Sequence, residues 1–347
     1  MDIFFAIVIV ILAGFINGSF AFPLKYMKKW NDETVWLVFS FAAFLILPSL
    51  TLLFMSPNVF DIVSTTPKFA ILLLIFGGIA FGIGQACYSY SFKLIGIGLN
   101  CVVNISIGTT STALLGLILK PNLVGSLYSY LQIIGIIVFI TALILGAISG
   151  KKRVMSNSNN NYIDSGCIKV TGKKYFILGI ILAAVGGIGV AAEGAAYIIA
   201  NPLIVKAAKV FSVTGINANT ISWVIMFSCA FIPYMLYFLI LTIKNKAKIQ
   251  FSPKIPLYWI FILLMGCFYW FPLIMFSKAS DLIGGDLAPT IAWPLFMIFV
   301  ILASNFWGLI QGEWQQSDQK TKKLLYFSIL LLIVAVIIFA VSSSVLT

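Results

Sequence analysis

From residue 3 to residue 345 the chain is a succession of apolar runs parted by connections in which the basic residues gather. Each run is about the 20 residues that a helix needs to cross a bilayer core. In hydrocarbon every backbone N–H and C=O must be satisfied within the segment, so such runs are helices. Ten candidates stand out, at 3–24, 34–55, 69–91, 95–118, 127–149, 174–200, 218–243, 257–277, 286–310 and 324–345. The fold class that follows is all-α integral membrane. Only 9% of the 347 residues are charged, against about 25% in a soluble domain. The deficit is chain-wide, which excludes a soluble domain with an anchor. The first run, MDIFFAIVIVILAGF, has an acidic start, no basic n-region and no small-x-small cleavage site. It reads as a retained span rather than a signal peptide.

The net charge of +12 does not point to nucleic acid, because the basic residues lie at the ends of apolar runs. There they set topology. The odd-numbered connections hold 17 of the 22 Lys and Arg residues and the even-numbered ones hold 5. The odd connections are therefore expected in the cytoplasm and both termini outside. The fifth connection, GKKRVMSNSNNNYIDSGCIKVTGKK, is the longest and reads as a solvated, mobile linker. It divides the chain into a first repeat of five helices (1–149), a cytoplasmic linker (150–173) and a second repeat of five (174–347). An odd number of spans per half gives the halves opposite orientation. That is the inverted-repeat plan of many secondary transporters. Pro-Leu followed by lysines in GSFAFPLKYMKK and in YIIANPLIVKAAK gives a faint internal echo.

Histidine is absent, and Cys87, Cys101, Cys167, Cys229 and Cys267 are widely spaced. Neither a metal site nor a disulfide framework follows, and no cofactor is expected. The polar groups inside spans carry the functional signal. Glu193, in GVAAEGAAYII, is an acid within span six. Such a residue is expensive in a membrane and faces the bundle interior or a water-filled cavity. It is read as the proton-binding carboxylate, beside the alternative of an acid bonded to a neighbouring helix. In span four, GLNCVVNISIGTTSTALLG, the residues Asn100, Asn104 and Ser111 recur at helical spacing. Amides and hydroxyls suit a sugar, because they donate and accept without burying a charge. They equally suit helix–helix contact. Tyr88 on span three, Tyr269 and Trp270 on span eight and Trp293 on span nine are rings that can stack on the C–H face of a sugar. Packing and interfacial belts are the competing explanation. Gly14 with Gly18 and Gly78 with Gly82 are small-xxx-small pairs that allow close helix contact. Pro272, Pro289 and Pro294 are expected to kink or break spans eight and nine.

Three stretches taken together carry a resemblance: FPLKYMKKWNDETVW, FGGIAFGIGQACYSYSFKLIGIGLN and GLIQGEW. With the ten-span plan they resemble the bacterial L-rhamnose–proton symporter family, of the drug/metabolite transporter superfamily. Lys25, Lys28, Lys29, Trp30, Glu33, Thr34 and Trp36 match its first-loop pattern, and Glu313 and Trp314 match a later one. These are membrane-edge positions with a structural role, and Glu33 is expected to pair with a lysine of its own loop. The resemblance implies proton-coupled import of L-rhamnose, or a related 6-deoxyhexose, across a bacterial inner membrane. It also implies a cavity between two inverted repeats. Family members carry a few histidines within spans, so here any proton path must use carboxylates.

The partners expected are a small sugar, protons and the lipid bilayer, with no nucleic acid, and the oligomeric state stays open. The alternative is a drug/metabolite-type transporter of an amino acid, a nucleotide-sugar or a cationic drug, and such a protein can export. An enzyme is not expected, because clustered acids, a His-rich site and an activated nucleophile are all lacking.

Overall fold

The first apolar run folds as α1 (Asp2–Gly18) and closes in a 3-10 turn (Phe22–Tyr26). Pro23 suits that turn, since its φ is fixed and it has no N–H to satisfy. The second run is one rod in three parts: α2 (Asp32–Ser40), a π-helical stretch (Phe41–Ile46) and α3 (Leu47–Met55). The cause lies in the sequence. Pro48 donates no hydrogen bond and its ring would strike the carbonyl four residues back. The helix widens before it, and the Leu47 N–H bonds to Ala42 O, five residues back. The structure, a computed structural model, describes residues 2–56, 58–119, 125–159, 173–245, 256–283, 292–315 and 317–344.

A short α4 (Val59–Thr65) precedes α5 (Lys68–Ile95). Gly96 then turns the chain at φ +77° into α6 (Ile97–Ile118). The close boundary expected between the spans at 69–91 and 95–118 is thus a real one, made by a glycine in the left-handed region. There follow α7 (Leu127–Asn159), α8 (Lys173–Val210), α9 (Gly215–Lys244), α10 (Pro256–Ile283), α11 (Ala292–Ile310) and α12 (Gln319–Ser344).

Nine stretches among the described residues are long and apolar enough to cross a membrane. The expected fourth span corresponds to α6, whose apolar part is the shorter Leu99–Leu115. Several expectations need correction. Residues 150–159, taken as mobile linker, continue α7 as helix; residues 160–172 lie outside the described set. Residues 278–283, expected to fall in the break between spans eight and nine, are the last part of α10, and α10 runs unbroken through Pro272; residues 284 and 285 of that expected break lie outside the described residues. Trp293 and Pro294 occupy the first turn of α11, where a proline's missing N–H is no loss. Pro289 lies outside the described residues.

Glycines set the helix spacing. A Cβ on Gly14 or Gly18 would stand 2.4 or 2.3 Å from a carbonyl oxygen of α11, at Phe296 and Val300. A Cβ on Gly78 or Gly82 would stand 2.3 Å from the carbonyls of Met226 and Ala230 on α9. Both small-residue pairs are therefore backbone contacts. The outer surface is apolar, with Phe54 and Phe60 nearly fully exposed, as a lipid-facing surface requires.

Candidate functional site

The same close packing centres the polar groups. Midway along α8 the sequence GGIGVAAEG puts small residues around Glu193. Gly84 of α5 abuts Gly189, and Gly186 and Gly187 abut Asn104 of α6. Helices α5, α6 and α8 thus meet nearly backbone to backbone, which brings Asn104 and Glu193 to one wall of a buried cavity of about 60 Å³. That is room for several water molecules. Asn17 of α1 and Gln85 of α5 add two further amides to its lining, and Tyr88 and Tyr269 add two phenol rings. Trp293, Phe296, Met297 and Val300 of α11, with Phe227 and Leu273, form the apolar side.

Several of these polar groups have nothing to bond to. Asn104 is 2% exposed and Trp293 4% exposed, yet among the described residues Asn104 Nδ2 and Trp293 Nε1 lack hydrogen-bond partners. Glu193 is 3% exposed, and among the described residues no hydrogen bond or ion pair reaches it. Among the described residues of the lining Glu193 is the one acid, and no Lys or Arg accompanies it. Buried groups of this kind are costly when unpaired, so the cavity is built for a polar occupant. Asn17 is the exception, its Nδ2 donating to Tyr269 O at 3.2 Å. No cluster of potential metal ligands occurs among the described residues.

Five of the sequence-derived candidates therefore line one space: Glu193, Asn104, Tyr88, Tyr269 and Trp293. Three do not. Asn100 donates to Tyr88 O at 2.8 Å and accepts from Ser91 Oγ, so it joins α5 to α6. Ser111 is exposed. Helical spacing aligns it with Asn104, but the buried face of α6 rotates as the helix crosses its neighbours, and at that level Gly108 and Thr112 face α8 instead. Trp270 is fully buried and donates from Nε1 to Thr51 Oγ1 at 2.8 Å, away from the cavity. Sequence reasoning missed Gln85 and Asn17. Each is a lone amide in an apolar run, a signal of the kind that singled out Glu193.

The motif residues lie at the opposite end of the bundle from α4. Glu33 is held by Lys93, at 3.8 Å, and by Asn245 Nδ2, which donates to its Oε1 at 2.9 Å. Its partners thus come from α5 and α9 and not from its own loop. Lys25 reaches Gln311 O, and the Lys29 N–H donates to Tyr258 Oη at 3.3 Å. The Lys28 and Lys29 side chains are exposed. Trp30 packs edge-on against Tyr258 and Trp259, Trp36 stacks on Phe92 at 5.6 Å, and Thr34 is buried beside it in α2. Glu313 pairs with Arg153, whose guanidinium lies 5.0 Å from the Trp314 ring centroid. These residues hold helix ends together and do not line the cavity.

The family model described as L-rhamnose-proton symport protein (RhaT) matches residues 1–344. Curated relatives named L-rhamnose-proton symporter, from Yersinia pestis and Yersinia pseudotuberculosis, are each 24% identical over 333 residues, covering 92% of this chain and 92% of theirs. With spans, cavity and motif residues accounted for, the chain belongs to the L-rhamnose–proton symport protein family, and it is a multi-pass membrane transporter and not an enzyme.

Proposed function

We propose that the protein imports L-rhamnose, or a closely related 6-deoxyhexose, together with protons across a bacterial inner membrane. The observation that carries this reading is the composition of the cavity. It offers free amides for hydroxyl groups, aromatic and aliphatic walls for C–H faces, and one carboxylate. That is an amphipathic site for a neutral sugar, with one group able to carry a proton. The absence of Lys and Arg from the described residues of the lining weighs against nucleotide-sugars and other phosphates, which call for cationic partners. A cationic drug would also suit a carboxylate among aromatics, so a substrate screen must include one.

In this reading Glu193 binds the proton, and Asn104, Gln85 and Trp293 bind the sugar. Two inverted five-helix repeats move about them, with both termini outside. Helix pairing supports the repeats. The first span packs on the eighth and ninth just as the sixth packs on the third and fourth, while the fifth packs on the tenth and the fourth on the ninth. Exchanging halves leaves that pattern unchanged. Occupation of the cavity by proton and sugar together biases the movement of one repeat against the other.

The test is uptake of labelled L-rhamnose into liposomes holding the purified protein, under an imposed pH gradient, with and without a protonophore. Accumulation that the protonophore abolishes is expected. No uptake by correctly folded protein would overturn the L-rhamnose assignment and turn attention to other sugars, amino acids and cationic drugs.

A further inference from the structure

A layer of rings parts the cavity from the end of the bundle that Glu33 occupies. Phe20, a lining residue, packs on Phe39 at 5.9 Å and on Phe92 at 6.3 Å. Trp36 of α2 completes the layer, stacked on Phe92 at 5.6 Å, edge-on to Phe39 at 5.6 Å and tilted against Phe238 of α9 at 6.4 Å. All five rings are buried. Glu33 stands one helical turn before Trp36. It accepts from Asn245 Nδ2 at 2.9 Å, and Asn245 caps the C-terminus of α9. That bond joins the first half of the chain to the second. Lys93, 3.8 Å away, and the packing of Trp30 on Tyr258 and Trp259 of α10 fasten the same end.

The rod that carries Glu33 and Trp36 changes its winding further along, at the π-helical stretch Phe41–Ile46. Sharp bends in helices concentrate at such stretches. There Ala42 packs on Gly266 of α10, a contact between small residues with no long side chain to interlock. Phe44, in the same stretch, meets Phe81, Phe227 and Tyr269 at 6.2, 5.4 and 5.7 Å, and all three line the cavity. Whatever fills the cavity thus presses on the rings that touch the stretch. Beyond it, α3 is tied to the start of α9, with Ser56 Oγ donating to Asn217 O at 3.2 Å.

We infer that α2 is a gate to the cavity, hinged at the π-helical stretch and latched shut by the bond between Glu33 and Asn245. The inference rests on the movement of repeats proposed above, and in the orientation proposed there the gate faces the cytoplasm. Opening swings α2 off the end of α9 and draws Trp36 out of the ring layer, while α3 keeps its place. Glu33 is a positioning residue: it holds the gate and touches neither sugar nor proton. The motif around it is conformational machinery.

The test measures distances first. Spin labels on ketone-bearing residues at Lys29 and Lys244, both exposed, span the latch and leave the native cysteines alone. In lipid nanodiscs the otherwise wild-type protein is expected to show a short and a long distance. Glu33→Ala raises the long-to-short ratio by about tenfold, the scale of one hydrogen bond to a charged group. Asn245→Ala removes the same bond from an exposed helix end and raises the ratio alike, which keeps the test in place should Glu33→Ala not fold. Labels at Phe54 of α3 and at Lys244 hold one distance throughout. In a second arm, Glu33→Cys is bridged to Asn245→Cys by a short cleavable thiol cross-linker, and counterflow of labelled L-rhamnose stops until the bridge is cut. One short distance in every variant, or counterflow through an intact bridge, would overturn the gate. A distance between positions 54 and 244 that changes with the first would overturn the hinge. The distances need no sugar, so a wild-type protein that carries no L-rhamnose would overturn the sugar reading alone.

Discussion

Arg153→Met should destabilise the protein severely, and the structure sets the scale. The Arg153 and Glu313 side chains are 2% and 8% exposed, and they bond directly. Removing one partner of a buried pair leaves the other charge uncompensated, at about 3–5 kcal/mol. Loss of the guanidinium from the Trp314 ring, 5.0 Å away, adds about 0.5–2 kcal/mol. Methionine recovers part of the lost packing, so a net loss of about 3–5 kcal/mol is expected. The decisive comparison is the double variant Arg153→Met, Glu313→Leu. Replacing both charges with apolar groups of similar volume is often neutral or stabilising, so it should recover to within about 1 kcal/mol of wild type. The assay is reversible unfolding in mixed micelles as the denaturing detergent fraction rises, monitored by circular dichroism. A single variant as stable as wild type would refute the buried-pair reasoning, as would a double variant no better than the single one. In the first case the pair would be solvated and worth the small sum of a surface contact.

Gly82→Val should prevent the packing of α5 on α9, because its Cβ alone would stand 2.3 Å from Ala230 O. The loss should exceed the roughly 1–3 kcal/mol of ordinary overpacking, read as loss of monodisperse protein in size-exclusion chromatography. Asn100→Ala and Asn104→Ala should separate stability from binding. The first removes bonds to Tyr88 O and Ser91, so it should destabilise by about 1–3 kcal/mol with binding by the folded fraction unchanged. The second removes an amide whose Nδ2 has no partner, so it should weaken sugar binding with little effect on unfolding.

The membrane plan was legible because hydrocarbon imposes a length and a composition on each span, and the chain meets them nearly everywhere. The small-residue pairs were legible for a similar reason: Gly14 with Gly18 admits little but a backbone contact. What a one-dimensional reading misses is the third dimension of the site. Ser111 and Asn104 share a face on an ideal helix, yet Ser111 is exposed, since helix crossing moves the buried stripe. Asn100 and Asn104 look alike in sequence. One is spent on Tyr88 O and Ser91, and the other faces the cavity with a free nitrogen. Glu33 found its partners on α5 and α9, which no local spacing could indicate. Gln85 and Asn17 were passed over because a lone amide in an apolar run was weighed less than a stripe of them.

On the proposed reading the proton and the sugar share one small space, and that reading fixes how they must be coupled. Glu193 and Asn104 line the same 60 Å³, so on that reading the charge on the carboxylate acts on the sugar directly rather than through a distant relay. Linkage between two bound ligands is reciprocal: whatever factor protonation adds to sugar affinity, sugar adds to proton affinity. For a symporter that couples tightly, the factor should reach about 5–150-fold, or 1–3 kcal/mol. The prediction is a pair of equal numbers. The first is the ratio of L-rhamnose affinities of the purified protein at pH values that saturate and empty the proton site. The second is the shift of the proton site on saturating sugar, followed by proton uptake from a weakly buffered solution. Glu193→Gln should flatten both, abolishing accumulation while leaving downhill exchange. If the variant still concentrates sugar against a gradient, or if its sugar affinity keeps the wild-type pH dependence, the proton is carried elsewhere and the shared cavity is a binding site without a coupling role.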